Sequence, residues 1–264
     1  MVAGKRKYKY KLEFMSLRQL IEWHKKNHLP FISVISTYTQ KIISSEGTFV
    51  FMRGYKGQKC FIAYTMIKRD VKNNNLPQIK ENELRYFQTA LQAIYLDEIR
   101  STDIKSAYAN ILFNDKVISE KTFNYLCTLP KPDRLASVGM LASRNTTYYF
   151  NSKGEIERVD KFTSPYSNVF FYAVRKTYYI MNECKHAIKN DFLFSWVDCI
   201  YYPTVTAGNI VAECLQDHNL KFTDGVLKEF ECKEKPDVFK ISYIKDEKFK
   251  AFFVPKINNK IAMI

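Results

Sequence analysis

Apolar residues recur along this chain with helical and strand-like periods in turn, which predicts a mixed fold. Ser16-Leu-Arg-Gln19 has the form of a capping box, after which Leu17, Leu20, Ile21 and His24 share one face of a short helix. Thr48 to Ile67 reads as a hairpin: Phe-Val-Phe-Met, a polar tip from Arg53 to Lys59, then Cys60-Phe-Ile-Ala-Tyr64. Lys72-Asn-Asn-Asn-Leu-Pro77 is the best linker candidate. Leu84, Phe87, Leu91, Ile94 and Tyr95 follow at helical spacing.

Beyond about residue 97 the pattern grows denser. Ser101-Thr-Asp-Ile-Lys105 reads as a short strand, and Ser106 to Leu112 as a helix leaving it. Pro130-Lys-Pro-Asp133 opens another helix, from Arg134 to about Ser143, and a hairpin of 148–150 and 156–159 turns at Lys153-Gly154. Asn168 to Asn190 predicts a long helix. Val169, Ala173, Thr177, Ile180, Cys184 and Ile188 are among the residues of its broad apolar face. Phe192 to Tyr202 is an apolar strand pair broken by one carboxylate, and Thr206 caps a helix with Ile210, Val211, Cys214 and Leu215 inward. Strands at 226–232, 238–244 and 249–254 complete the pattern. The expected class is α+β: a small antiparallel sheet with helices on one face, plus an α+β N-terminal region. The expected division is 1–90 and 91–264.

Charge changes the picture. The 264 residues carry 41 Lys and Arg against 27 Asp and Glu, a net +14. Residues 1–90 hold 17 basic and 6 acidic side chains, so most of the excess lies there. A polyanion gripped by the N-terminal third is the natural expectation. Its candidates are Lys5, Arg6, Lys7 and Lys9, interleaved with tyrosines, and Arg53, Lys56 and Lys59 around the expected hairpin tip. No apolar run is long enough for a bilayer span and the first residues do not lead into a signal-peptide core. A cytoplasmic protein with no membrane partner is expected, in host cytoplasm if the source is viral. The six cysteines have no paired spacing, which argues against a disulfide scaffold or a zinc ribbon. The four histidines fit no hydrolase or zinc-protease motif and read as surface residues.

Two carboxylates do not suit a core. Asp103 and Asp198 both fall in expected strands between apolar neighbours. A lone buried carboxylate costs several kcal/mol unless paired or bound to a cation. Adjacent strands lie about 4.8 Å apart, so carboxylates on neighbouring strands can share two metal ions, as two-metal phosphoryl transfer requires.

Asp103-Ile-Lys-Ser-Ala-Tyr-Ala-Asn-Ile111 resembles the first catalytic motif of family B DNA polymerases, Asp-x-x-Ser-Leu-Tyr-Pro-x-Ile. Trp196-Val-Asp198-Cys-Ile-Tyr201 resembles their Asp-Thr-Asp-Ser-Ile-Phe turn. The long helix before that turn and the strands after it agree in order, and Pro130 to Gly139 resembles the fingers motif. The resemblance covers about 95–255. It implies a polymerase palm with a ferredoxin-like core and reduced fingers. Asp103, Asp198 and the Ile104 carbonyl would hold two Mg²⁺ ions, with Mn²⁺ as an alternative. Tyr108 would stack under the nucleotide sugar and exclude a 2′-hydroxyl. Lys131 or Arg134 would grip the triphosphate, and Lys248 or Lys250 would touch the primer or template backbone. The implied partners are a DNA primer-template, dNTPs and a protein supplying a thumb or processivity.

The departures bound this expectation. Trp196 replaces the first Asp of the turn, Ala109 replaces Pro, and the fingers motif lacks its Asn and Tyr. No paired acidic exonuclease motif occurs before residue 90, and ten residues after the last expected strand leave no room for a thumb. The rival readings are a reverse-transcriptase-like polymerase, a primase or template-independent nucleotidyl transferase, and an inactive nucleic-acid-binding accessory protein.

Overall fold

The computed structural model describes residues 12–36, 39–52, 58–72 and 76–256. Lys5, Arg6, Lys7, Lys9, Arg53 and Lys56 lie outside the described residues. The elements begin with α1 (Leu17–Lys26), β1 (Phe31–Ile35), β2 (Thr39–Ser44), β3 (Gly47–Met52) and α2 (Gln58–Val71). Next come β4 (Phe87–Thr89), β5 (Ile94–Ile104), α3 (Ala107–Asn114), α4 (Glu120–Thr128) and α5 (Lys131–Gly139). They are followed by β6 (Arg144–Phe150), β7 (Ile156–Thr163), α6 (Ser167–Ile188), β8 (Phe194–Trp196) and β9 (Cys199–Tyr202). The chain continues with α7 (Val205–Asp217), β10 (Phe222–Glu234), β11 (Val238–Lys245) and β12 (Lys248–Pro255). The class is α+β with two antiparallel sheets, as the alternating periods imply.

These elements form two compact units, one of Met1–Tyr64 with Leu135–Ser167, the other of Thr65–Arg134 with Asn168–Ile264. A single cut near residue 90 is therefore incorrect. β6 pairs with β1 across more than 100 positions of sequence, and a linear reading has no signal for such a pairing.

The first unit has a sheet of order β3-β2-β1-β6-β7. Phe31 on β1 stands opposite Phe150 on β6, and the two rings stack at 4.4 Å. Leu12, Leu20, Ile42 and Phe49 complete its buried core. The Ser16–Gln19 capping box forms as expected. His24 is not a surface residue: it is fully buried, its Nδ1–H donating to the Leu20 carbonyl and its Nε2 bonding the Ser44 hydroxyl, both at 2.8 Å. Gly154 closes the β6–β7 turn at φ +77°, and a Cβ there would stand 2.7 Å from Lys25 Cγ. Gly154→Ala is expected to destabilise the fold by about 1–2 kcal/mol in denaturant titration; an unchanged midpoint would mean that the turn carries no constraint.

In the second unit the sheet order is β12-β11-β10-β5-β9-β8-β4. Its centre is a β-α-β-β-α-β arrangement made of β5, α6, β8, β9, α7 and β10. The strands stand in the spatial order fourth, first, third, second, which is the ferredoxin-like topology. Between β5 and α6 the chain passes through α3, α4, α5 and the β6–β7 hairpin. Helices α3, α6 and α7 bury Ile111, Ile180, Cys184, Val211 and Leu215 against Ile104, Ile200 and Tyr202 of the central strands. Phe87, Phe194, Phe230 and Ile241 belong to a second cluster.

Several local expectations are overturned. Cys60 to Tyr64 is not a returning strand but part of α2, because Cys60, Ala63, Ile67 and Val71 are buried at helical intervals that continue past the expected hairpin. The helix expected over 84–95 is instead β4 and the start of β5. β4 pairs with β8 and β5 with β10, so long-range pairing overrides a four-residue spacing that also keeps one face of a strand. Thr204, not Thr206, caps α7, its hydroxyl accepting from the Ala207 N–H. No helix among the described residues is long and apolar enough to cross a membrane.

Candidate metal centre at paired aspartates

Asp103 is the penultimate residue of β5, flanked by Cys199 of β9 on one side and Thr223 of β10 on the other. Asp198 is not within a strand, as the sequence suggests, but in the two-residue turn between Trp196 and Cys199. The backbone locks that turn to β5: the Ile104 N–H donates to the Asp198 carbonyl at 2.9 Å. The Val197 N–H donates to the Tyr86 carbonyl at 2.6 Å. Val197 adopts φ +55°, a left-handed conformation rare for a β-branched residue. Holding it costs on the order of 1–3 kcal/mol, and such strain clusters at functional turns.

The strands beneath are tied by side chains. Thr102 is fully buried, and its hydroxyl donates to Asp224 on β10 at 2.6 Å. That uses its one proton, so the Tyr202 hydroxyl of β9 donates to Thr102. Three central strands are thus joined one residue before Asp103.

The two carboxylates feel each other. Burial, followed by the Asp103 charge, pushes Asp198 up to about 6, while Lys131 opposes the rise. Burial also raises Asp103, against the charges of Lys131 and Lys245. Cys199 between them is pushed up to about 12, chiefly by burial, and so stays a thiol at neutral pH. Two half-buried carboxylates whose charges oppose one another form an oxygen donor set suited to a hard divalent cation such as Mg²⁺. Asp103, Asp198 and the Ile104 backbone at the end of β5 are the groups that would hold it.

Tyr108 joins them. It lies on α3, packs edge-on to Phe170 at 5.7 Å, and its phenol is raised by burial, then by the charge of Asp198 and by Tyr86. Lys131 and Arg134 separate. Lys131, exposed at the start of α5, acts electrostatically on both aspartates. Arg134 instead directs Nη1 to the Leu129 carbonyl at 3.3 Å. Lys248 and Lys250 are exposed on the edge strand β12, with β11 and β10 between it and β5. Lys59 is exposed on α2 in the other unit.

Lys245 is the site residue that sequence reasoning missed. It ends β11, and a Cβ built on Gly225 of β10 would meet its Nζ at 3.1 Å and Ser101 Oγ at 3.0 Å. Gly225 therefore leaves the space across which Lys245 reaches toward Asp103. A glycine in β10 beside β5 was the available signal. No protein-family model matches the chain, and the curated proteins contain no match to it.

Proposed function

We propose that this chain is a template-directed DNA polymerase, of the family B kind, that adds deoxynucleotides to a primer 3′-hydroxyl. The observation that carries this reading is the pairing of Asp103 and Asp198. They stand on adjoining ends of β5 and the β8–β9 turn at the centre of a ferredoxin-like sheet, with Lys131 acting on both. The fold alone hosts many functions, so the argument rests on the site.

In this reading the primer 3′-hydroxyl gives up its proton to water and its oxygen bonds to the α-phosphorus of the incoming nucleotide. The bond from that phosphorus to the bridging oxygen breaks, and pyrophosphate leaves with the electron pair. Mg²⁺ bound by the two aspartates would supply charge neutralisation and activate the hydroxyl, with Mn²⁺ as a substitute. Lys131 offsets triphosphate charge, because phosphoryl transfer depends chiefly on positioning and electrostatics. The Tyr108 ring, beside Asp198, packs under the deoxyribose and leaves no room for a 2′-hydroxyl. Lys245 steadies the Asp103 side of the site. Backbone grip on DNA falls to the basic N-terminal third, Lys59 and the β12 lysines Lys248 and Lys250.

Primer extension tests this. A labelled primer on a DNA template with Mg²⁺ and all four dNTPs is expected to lengthen with the wild type and not with Asp198→Ala. Products on an RNA template, or without primer, would redirect the assignment to a reverse transcriptase or a primase. Tight DNA binding with no product under any condition would favour a binding-only protein. Binding should weaken steeply as salt rises, since each phosphate contact releases counterion.

A further inference from the structure

Apart from the paired aspartates, α6 and α7 bring a carboxylate, a thiol and an imidazole to one point. Glu183 stands on α6; Cys214 stands on α7, and His218 follows it by four residues at that helix's C-terminal cap. One potential ligand atom from each lies within 4.8 Å of the other two. His218 Nε2 is 2.5 Å from Glu183 Oε2. The buried Cys184 thiol donates to Cys214 Sγ at 3.3 Å, a contact that stabilises negative charge on that sulfur.

We propose that Glu183, Cys214 and His218 form a zinc site. Tetrahedral zinc has bonds of about 2.0–2.3 Å, which set neighbouring donor atoms roughly 3.3–3.8 Å apart. The three atoms lie within 4.8 Å of one another, with His218 Nε2 and Glu183 Oε2 closer than that spacing, and all three side chains are at least partly exposed, so rotamer changes can reach it. The four-residue spacing of Cys214 and His218 puts both donors on one helix face. Thiolate and imidazole favour zinc over Mg²⁺ or Ca²⁺, so this donor set selects a different ion from the aspartate pair. Three protein ligands leave the fourth position to water. The bound ion clamps together the two helices that pack on β5 and β9. This inference does not rest on the polymerase reading.

The test is Co²⁺ and Zn²⁺ titration of the metal-free full chain in an Asp198→Ala background, which removes competing binding at the aspartate pair. One equivalent of Co²⁺ should bind with a thiolate-to-cobalt charge-transfer absorption that Zn²⁺ displaces. Cys214→Ser should abolish that band, and His218→Gln should weaken Zn²⁺ binding about 100-fold. Cys127→Ser, which removes an exposed cysteine elsewhere, should leave both unchanged. Circular dichroism of each variant separates lost binding from lost folding. Absence of the charge-transfer band in the folded protein overturns the site. So does a band that survives Cys214→Ser, or unchanged Zn²⁺ affinity in His218→Gln; the latter decides the matter should Cys214→Ser fail to fold.

Discussion

Asp198→Asn is expected to make the metal-free protein more stable at pH 8 while reducing primer extension by at least about 10³-fold. Asp198 is held near 6 by burial and by the neighbouring Asp103 charge. A carboxyl raised in the folded state binds its proton more tightly there than in the unfolded chain. The stability that this carboxyl contributes is therefore greatest below about pH 4 and falls as pH rises through about 4–6. The shift corresponds to about 2–3 kcal/mol of penalty above that window. Removing the charge should recover about 1–2 kcal/mol of it, since a part-buried amide brings its own desolvation cost. Urea titrations in EDTA should show the variant ahead of wild type at pH 8, with the gap closing near pH 4. Added Mg²⁺ should then stabilise wild type and leave the variant unmoved. Equal stability of the two proteins at every pH would mean that Asp198 is not electrostatically penalised. A stable variant that still extends primers would remove Asp198 from the metal centre.

Lys131→Ala is expected to lower kcat/KM for single-nucleotide incorporation by about 10²–10³-fold, the usual cost of removing one charge-stabilising group from a phosphoryl-transfer site. Arg134→Ala should cost far less, because its guanidinium is engaged by the Leu129 carbonyl. A second readout is independent of rate. The charge of Lys131 favours the ionised form of both aspartates. Without it, both should retain their protons to higher pH, and the acidic limb of the activity profile should move upward. Equal losses in the two variants, or an unmoved acidic limb, would show that Lys131 does not face the reacting phosphates.

Secondary structure was readable where one periodic pattern ran uninterrupted and local. The capping box at Ser16, the helix over 167–188 and the hairpin turning at Gly154 follow from their own residues. Errors arose where the pattern was short or ambiguous. Phe87 and Ile94 suit a helix face and also suit strands paired across the sheet, and only pairing with β8 and β10 decides between them. Cys60 to Tyr64 is short enough to suit a strand, and only Ile67 and Val71 beyond it complete the buried face of α2.

Sequence alone determined the α+β class and singled out Asp103 and Asp198, because an isolated carboxylate among apolar neighbours is chemically conspicuous in one dimension. It could not choose between Lys131 and Arg134, find Lys245, or bring Glu183 to Cys214 and His218. Each of those depends on which strand lies beside which and where a helix faces its neighbour. Such relations are set by burial of apolar surface between elements far apart in the chain, so they exist only once the tertiary structure has formed.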